Sequence, residues 1–333
     1  MKTKWGIIGT GRIARKFADG LRQSRTGELV AVGSRSQDSA NQFTKKFPAT
    51  AYGSYEALLA DPAIEVVYVC TPHPMHAEWV IKAAEAGKHV LCEKPLAVGY
   101  SDALAMIEAA RRNDVFLMEA FMYRCHPQTA RVVQLIRDQV IGEVKFIRAN
   151  FSFSIPFNPE SRLLDPKLGG GGILDVGCYC VSMARLIAGA ACGKPFENPI
   201  ETVGVGHLGP TGVDEYAIAS LKFPGGVLAQ VAAGVQLSLE NNVRIVGSEG
   251  SILVPAPWIV NGLAPGFSKI LVFKDNIPEE IVIEADRSIY AMEADHVAEH
   301  IPDRQAPAMS WDDSLGNMKT LDAWRYALDE IPY

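Results

Sequence analysis

The chain has 333 residues, 48% of them hydrophobic and 21% charged, the balance of a soluble globular protein long enough for two domains. A net charge of −6 excludes a general attraction to nucleic acid or to an anionic membrane surface. No apolar run is expected to reach the roughly 18 residues of a membrane helix, and the direct start into a strand gives the expectation that no signal peptide precedes it.

Apolar runs bounded by turns lie at residues 5–8, 29–33, 66–70, 89–92 and 115–118. Their near-continuous hydrophobicity predicts strands covered on both faces, as in a parallel sheet. Helical patterns alternate with them, from Ile13 to Leu21, over 75–86 with Gly87 as a stop, and over 100–112, where Ser101 and Asp102 suit a helix start. The alternation predicts an α/β, doubly wound parallel sheet of the Rossmann type over residues 1–122.

After about Phe121 the texture changes. A helix is predicted over 128–138, and the period-two alternation of 144–154 predicts a strand with unlike faces. The glycine run 169–172 leads into a helical stretch over 174–188. From residue 200 to 272 the chain reads as successive strands, placed at 201–207, 217–223, 227–235, 242–246 and 250–254, with turns at Pro224-Gly225-Gly226 and Ser248-Glu249-Gly250. Helices return at 291–300 and 311–328. Residues 123–333 are thus expected to form an α+β domain on a mostly antiparallel, open-faced sheet. An uncovered sheet face is an exposed apolar patch, so a homodimer or higher homo-oligomer through that sheet is expected. The six cysteines, Cys70, Cys92, Cys125, Cys178, Cys180 and Cys192, include no CxxC pair and read as reduced thiols of a cytoplasmic protein.

The strongest local signal is Gly9-Thr10-Gly11-Arg12-Ile13-Ala14, set between the first strand and the first helix. A dinucleotide pyrophosphate needs that context. Gly9 permits the tight turn, Gly11 lets backbone approach the phosphates, and Ala14 lets helix pack on strand. The helix N-terminus adds free N–H groups and partial positive charge, beside Thr10, Arg12 and Ile13. About 20 residues further on, NAD enzymes place an acidic residue on the ribose 2′-hydroxyl. Here stand Ser34, Arg35 and Ser36. A hydroxyl and a guanidinium suit a 2′-phosphate, so NADP is expected before NAD; the alternative is a solvated loop arginine.

The strand at 66–70 runs into Thr71-Pro72-His73-Pro74-Met75-His76. Ligands bind at the carboxyl ends of such strands, so this segment is expected to meet the nicotinamide half. His73 is a candidate contact. His76 either touches the cofactor or packs inside the following helix. No Cys/His spacing suggests a metal site, and none is expected. The next strand ends Glu93-Lys94-Pro95. A residue before proline is held extended, so Lys94 projects from a fixed turn, either beside the cofactor or simply at the surface.

These motifs together resemble the Gfo/Idh/MocA oxidoreductases: Gly9-Thr10-Gly11, Thr71-Pro72, His76, Glu93-Lys94-Pro95 and Gly170-Gly171-Gly172-Ile173-Leu174-Asp175-Val176-Gly177-Cys178-Tyr179. The resemblance covers essentially the whole chain. Met118-Glu119-Ala120-Phe121-Met122-Tyr123-Arg124, His126-Pro127 and Tyr179-Cys180 are similar to its dimeric dihydrodiol dehydrogenase, NADP-linked xylose dehydrogenase and glucose-fructose oxidoreductase branch. Many members have Asn after the Thr-Pro, where this chain has His73, and polyol dehydrogenases often have His in place of Tyr179. The resemblance implies hydride transfer between nicotinamide and a sugar or cyclic diol. It also implies that Lys94 acts with Tyr179, the acid/base. The chemistry is consistent: a cation ~4 Å from the phenol, at an effective dielectric of ~20, contributes up to about 4 kcal/mol, or roughly three pKa units. Asp175, four residues before Tyr179, either binds a substrate hydroxyl or caps the helix. Arg124 and His126 either border the substrate pocket or pack at the domain junction. Arg162, with Asn158 nearby, is a further substrate candidate. A chain that begins at the glycine-rich strand has no arm to wrap a retained cofactor, so exchange of free NADP(H) is expected.

Overall fold

The computed structural model describes residues 2–260, 262, 264–274 and 277–329. Contacts divide the chain into two units. One comprises Met1–His126, Asn261–Gly266 and Ala285–Ser314; the other comprises Pro127–Val260, Phe267–Glu284 and Leu315–Tyr333. The division does not follow chain order at a single point, because the stretch from Ala285 returns to the first unit.

The first unit alternates β1 (Thr3–Ile8), α1 (Arg12–Leu21), β2 (Gly27–Gly33), α2 (Gln37–Thr44), β3 (Thr50–Tyr52), α3 (Tyr55–Leu59), β4 (Val66–Val69), α4 (His76–Glu85), β5 (His89–Glu93), α5 (Tyr100–Arg112) and β6 (Leu117–Ala120). The strands form a six-stranded sheet in the order β3-β2-β1-β4-β5-β6, with parallel pairing. This is the doubly wound order, and it reverses between β1 and β4, where such sheets open a ligand crevice. The core packs helix on sheet through aromatic rings: Phe17 of α1 stacks on Tyr68 of β4 at 4.0 Å and tilts against Trp5 of β1 at 5.2 Å. All three are fully buried, and burial of one such ring contributes about 2–3 kcal/mol.

The expected elements are present, with differences that have causes. β3 is three residues long and α3 five, too short to show periodicity. The strand expected at 115–118 lies at Leu117–Ala120, because Glu119 is buried in it rather than ending it.

The second unit contains α6 (Pro127–Arg137), β7 (Val144–Ser152), α7 (Cys178–Ala191), β8 (Glu201–Leu208), β9 (Asp214–Lys222), β10 (Leu228–Gly234), β11 (Val243–Gly247), β12 (Ser251–Val254), β13 (Gly266–Lys274) and β14 (Ile277–Ala285). Its eight-stranded sheet runs β14-β13-β12-β11-β7-β10-β9-β8; from β13 to β8 neighbours pair antiparallel except for β7 beside β10, which is parallel. β9 shows that one face is covered: Ala217, Ala219 and Leu221 are buried, and Tyr216 and Ile218, which alternate with them, are exposed. α7 packs on β7 and β10 and is buried on all sides. One expectation is corrected here. The stretch Pro166–Ala191 is long and apolar enough to cross a membrane by length and composition, but its apolar window is wholly buried in the protein, as in a core helix. α8 (Ile289–His300) belongs to the first unit, and α9 (Trp311–Asp329) follows it.

Candidate active site

At the crevice, β1 ends in Gly9 at φ 116°, where a Cβ would lie 3.1 Å from both the Cys70 carbonyl oxygen and its Sγ. Gly9 N–H donates to the Gly33 carbonyl (3.0 Å), tying the turn to β2. Gly11 differs: its φ is −70°, and a Cβ there would meet nothing within 4 Å. It is the N-cap of α1, with no side-chain cap and no acidic residue in the first turn. The helix therefore offers uncapped N–H groups and its positive end into open space. Ala14 is fully buried, as close helix–strand packing requires.

Thr10 Oγ1 lies 3.5 Å from Ser34 Oγ at the end of β2. Arg12 and Arg35 are exposed and make no hydrogen bond or ion pair among the described residues. Ser36 instead caps α2, accepting from Ser39 N–H at 3.4 Å. On the β4 side, Pro72 leads into a short 3-10 turn at His73–Met75, and the Thr71 hydroxyl is buried with no partner among the described residues. An orphaned buried hydroxyl, a helix end with room before it and two uncommitted guanidiniums fit a phosphorylated dinucleotide.

The Lys94 turn follows β5, the neighbour of β4. Its Lys94–Pro95 bond is cis. Glu93 accepts from Lys94 N–H at 3.2 Å and from the Tyr68 hydroxyl. Leu96 N–H donates to Glu119 Oε1 at 2.8 Å. His76 Nδ1 faces the Pro95 and Leu96 carbonyls at 3.0 and 3.3 Å, and Nε2 faces the Thr71 carbonyl at 3.0 Å. His76 is fully buried; burial brings its pKa down to about 4, against the pull of the carbonyls. Burial likewise lifts the Glu119 carboxyl to about 7. The lysine backbone is thus braced from β4, β5 and β6.

In the second unit the glycine run begins the helix that carries Asp175 and Tyr179. Its first turn, Ile173–Gly177, is a π-helix, a form that concentrates at functional sites. Asp214, at the start of β9, caps it: Oδ2 accepts from Ile173 N–H at 2.6 Å. A Cβ on Gly171 would lie 2.2 Å from Asp214 Oδ1, so only glycine fits there, at φ 111°. Burial lifts the Asp214 carboxyl to about 7, while hydrogen bonds from Ile173, Asp214 and Gly172 N–H groups oppose the shift. Asp175 is buried and accepts from Arg162 Nη2 at 3.0 Å. The Asn158 side chain accepts from Glu160 N–H (3.0 Å) in the turn that precedes Arg162. Tyr179 is 4% exposed, with its ring edge-on to Phe151 (5.2 Å) and Trp258 (5.9 Å), which stack on each other. Trp258 is fixed by donating Nε1–H to the Asn150 carbonyl at 2.9 Å. The second unit thus holds a phenol against an aromatic wall and, earlier on the same helical stretch, a buried carboxylate paired with a guanidinium from the preceding turn, groups able to hydrogen-bond a polyhydroxylated molecule.

Several expected contacts are corrected. His76 takes its packing alternative, with both nitrogens turned to backbone carbonyls. The Arg124 guanidinium is buried and paired with Asp313 (3.0 Å) and Tyr123 Oη (3.1 Å), which commits it to the protein. His126 is also buried, and burial brings its pKa down to about 4. Asp175 is not the helix cap, since Asp214 has that role. The π turn also removes the simple i,i+4 argument for Asp175 and Tyr179 sharing a face. Asp214, Glu119, Phe151 and Trp258 were not anticipated. A carboxylate just before an alternating strand was the one available sign of Asp214.

A doubly wound sheet with a glycine-lined, uncapped helix end, joined to a mixed sheet that presents a phenol and an acidic residue, is the architecture of a dinucleotide-dependent oxidoreductase. Residues 3–121 match the model of an oxidoreductase family with an NAD-binding Rossmann fold, and residues 129–253 match the Gfo/Idh/MocA C-terminal domain. The chain belongs to the Gfo/Idh/MocA oxidoreductases. It is 39% identical over 276 residues to trans-1,2-dihydrobenzene-1,2-diol dehydrogenase of Danio rerio, covering 80% of each chain. It is 32% identical to an NADP(+)-linked D-xylose 1-dehydrogenase of Haloferax volcanii, covering 96% of this chain and 95% of that one. A solved 3-ketoreductase from Actinomadura kijaniata, in complex with NADP and TDP-benzene, superimposes with a TM-score of 0.86 at 30% identity, covering 98% of each chain.

Proposed function

We propose that this enzyme is an NADP-dependent dehydrogenase or reductase that interconverts a hydroxyl and a carbonyl on a sugar-like or cyclic diol substrate. The observation that carries the cofactor assignment is the pair Ser34-Arg35 at the end of β2, a hydroxyl and a guanidinium with no ion-pair partner among the described residues, where an NAD-specific site has a carboxylate. The relatives, a dihydrodiol dehydrogenase, an NADP(+)-linked xylose dehydrogenase and an NADP-bound ketoreductase, support both the cofactor and the substrate class. Gly9, Thr10, Gly11, Arg12 and Ile13 would hold the pyrophosphate, Ser34 and Arg35 the 2′-phosphate, and Thr71, Pro72 and His73 the nicotinamide side. When bound, NADP(H) supplies or accepts the hydride.

Tyr179 takes the proton from the substrate hydroxyl in oxidation and returns it in reduction. Lys94 stabilises the phenolate and holds the substrate oxygen. Asp175, with Arg162, orients a neighbouring hydroxyl. The test is a screen of aldoses, ketoses, dicarbonyls and aromatic dihydrodiols with NADPH and NADH arms, repeated with Tyr179→Phe. That variant should bind NADPH normally and lose about 10²–10⁴-fold in turnover. Full turnover would sink the acid/base assignment. Normal NADPH binding with no turnover of any substrate by the wild type would favour a cofactor-binding regulator.

The same reading includes self-association through the open face of the eight-stranded sheet, in a cytoplasmic setting that keeps all six cysteines as thiols. Val205 pairs with Ile218 and Leu228 with Phe146, all on the exposed face. His207 stacks on Tyr216 at 4.9 Å beside them. Light scattering should report a dimer or larger, reduced to a monomer by Ile218→Asp; a monomeric wild type would refute it.

A further inference from the structure

α8 carries His296, Glu299 and His300, spaced so that all three fall on one helix face. One donor atom of each lies within 4.8 Å of the others, and the imidazole rings are 4.3 Å apart. His300 Nδ1 sits 2.9 Å from the His296 carbonyl oxygen. A ring nitrogen against a carbonyl carries the proton, which leaves Nε2 with its lone pair for a ligand. His296 Nε2 is buried and has no hydrogen-bond partner among the described residues. Ring packing alone would account for the contact of the two imidazoles, but not for a buried nitrogen left without a partner.

We propose that His296, Glu299 and His300 bind one divalent transition ion of the zinc class. Two imidazoles and a carboxylate suit Zn²⁺, Co²⁺ or Ni²⁺, whereas Mg²⁺ and Ca²⁺ require oxygen ligands throughout. A tetrahedral ion at about 2.1 Å from each donor needs them roughly 3.4 Å apart. The exposed Glu299 is the arm that closes on the ion. Bound there, the ion joins the first and last of these ligands across one helical turn and fixes the end of α8 against the turn Ile301–Asp303. The absence of Cys/His clusters had suggested no metal. His-x-x-Glu-His on a helix achieves by periodicity what a Cys/His cluster achieves by proximity in sequence.

The test uses tag-free, chelator-treated full-length protein. Titration with Co²⁺, followed by its visible absorption, and with Zn²⁺ by calorimetry should give one saturable equivalent, with Mg²⁺ giving none. Glu299→Gln and His300→Gln should each weaken binding about tenfold or more. Both should also abolish the metal-dependent rise in thermal midpoint while NADPH binding is retained. No saturable Co²⁺ or Zn²⁺ binding to the wild type, or unchanged binding in a folded His300→Gln protein, would overturn the proposal.

Discussion

Replacing Gly11 with alanine separates cofactor binding from stability more cleanly than any other single change. The backbone at Gly11 has φ −70° and ψ −172°, which any residue adopts, and a Cβ there meets no atom within 4 Å. Alanine is a poorer N-cap than glycine by about 0.5–1 kcal/mol. Restricting the unfolded chain returns about 0.4–1 kcal/mol. The net change should be under about 1 kcal/mol, a shift of roughly 2 °C or less in a chain of this size. The methyl group, however, stands in the open space at the helix N-terminus, where a pyrophosphate must approach backbone N–H groups. NADPH affinity should fall at least about tenfold, or 1.4 kcal/mol. Gly9→Ala is the control of opposite character. At φ 116°, 3.1 Å from the Cys70 carbonyl oxygen, it should cost about 1–2 kcal/mol or more in stability. Urea unfolding and NADPH fluorescence titration of the two variants check the argument. If Gly11→Ala binds NADPH like the wild type, or loses as much stability as Gly9→Ala, the reasoning about open space is wrong.

Arg35→Ala should weaken NADPH about tenfold and leave NADH nearly unchanged in a direct binding titration; equal losses would remove the 2′-phosphate assignment. Gly171→Ala, which sets a Cβ 2.2 Å from Asp214 Oδ1, should lower both thermal midpoint and turnover; a neutral result would mean that Asp214 does not brace this helix. Asp214 also yields a pH prediction. Its folded pKa, about 7, lies above the ordinary 3.8, so its contribution is full below 3.8 and is lost as pH rises through 7, up to about 4 kcal/mol. Asp214→Asn should therefore gain stability relative to wild type between pH 5 and pH 9, read as the difference in urea midpoints. The comparison must be with wild type, because His76 and His126, depressed to about 4, lose stability in the opposite direction as pH falls below 6.5. A pH-independent difference would contradict the buried-carboxyl reading.

The first unit was readable because each strand ends in the residues that its neighbours need. Gly9, Gly11 and Thr71-Pro72 sit at strand ends, and period and position mark them before any contact is known. The role of His76 was not decidable that way, because its carbonyl partners come from two other loops, five to twenty residues away. For Arg124 the sequence leaves pocket border and packing equally open, because Asp313, its partner, lies 189 residues on. Asp214 caps a helix 41 residues earlier, and no local pattern joins them. In the second unit Asp175 and Tyr179 were visible as chemistry, but their spacing was judged at 3.6 residues per turn, and the π turn at Ile173–Gly177 changes it. His296, Glu299 and His300 share a face only through helical spacing, which a signal of closely spaced cysteine and histidine does not contain.

The return of the stretch from Ala285 to the first unit bears on how this enzyme can be cut. Asp295 on α8 accepts from Ser24 Oγ (2.6 Å), Arg25 N–H (2.9 Å) and both Thr26 donors. A Cβ on Gly20 of α1 would sit 2.5 Å from Tyr290 Cβ. Leu117 N–H is bonded to the Arg304 carbonyl at 3.1 Å, and Trp311 Nε1–H to the Leu117 carbonyl at 3.0 Å. A fragment ending at His126 would carry every residue assigned to the dinucleotide and still lack the wall behind its first helix. Any transplant of this nucleotide-binding half onto another protein, by recombination in nature or by design at the bench, has to move two separate stretches of gene together.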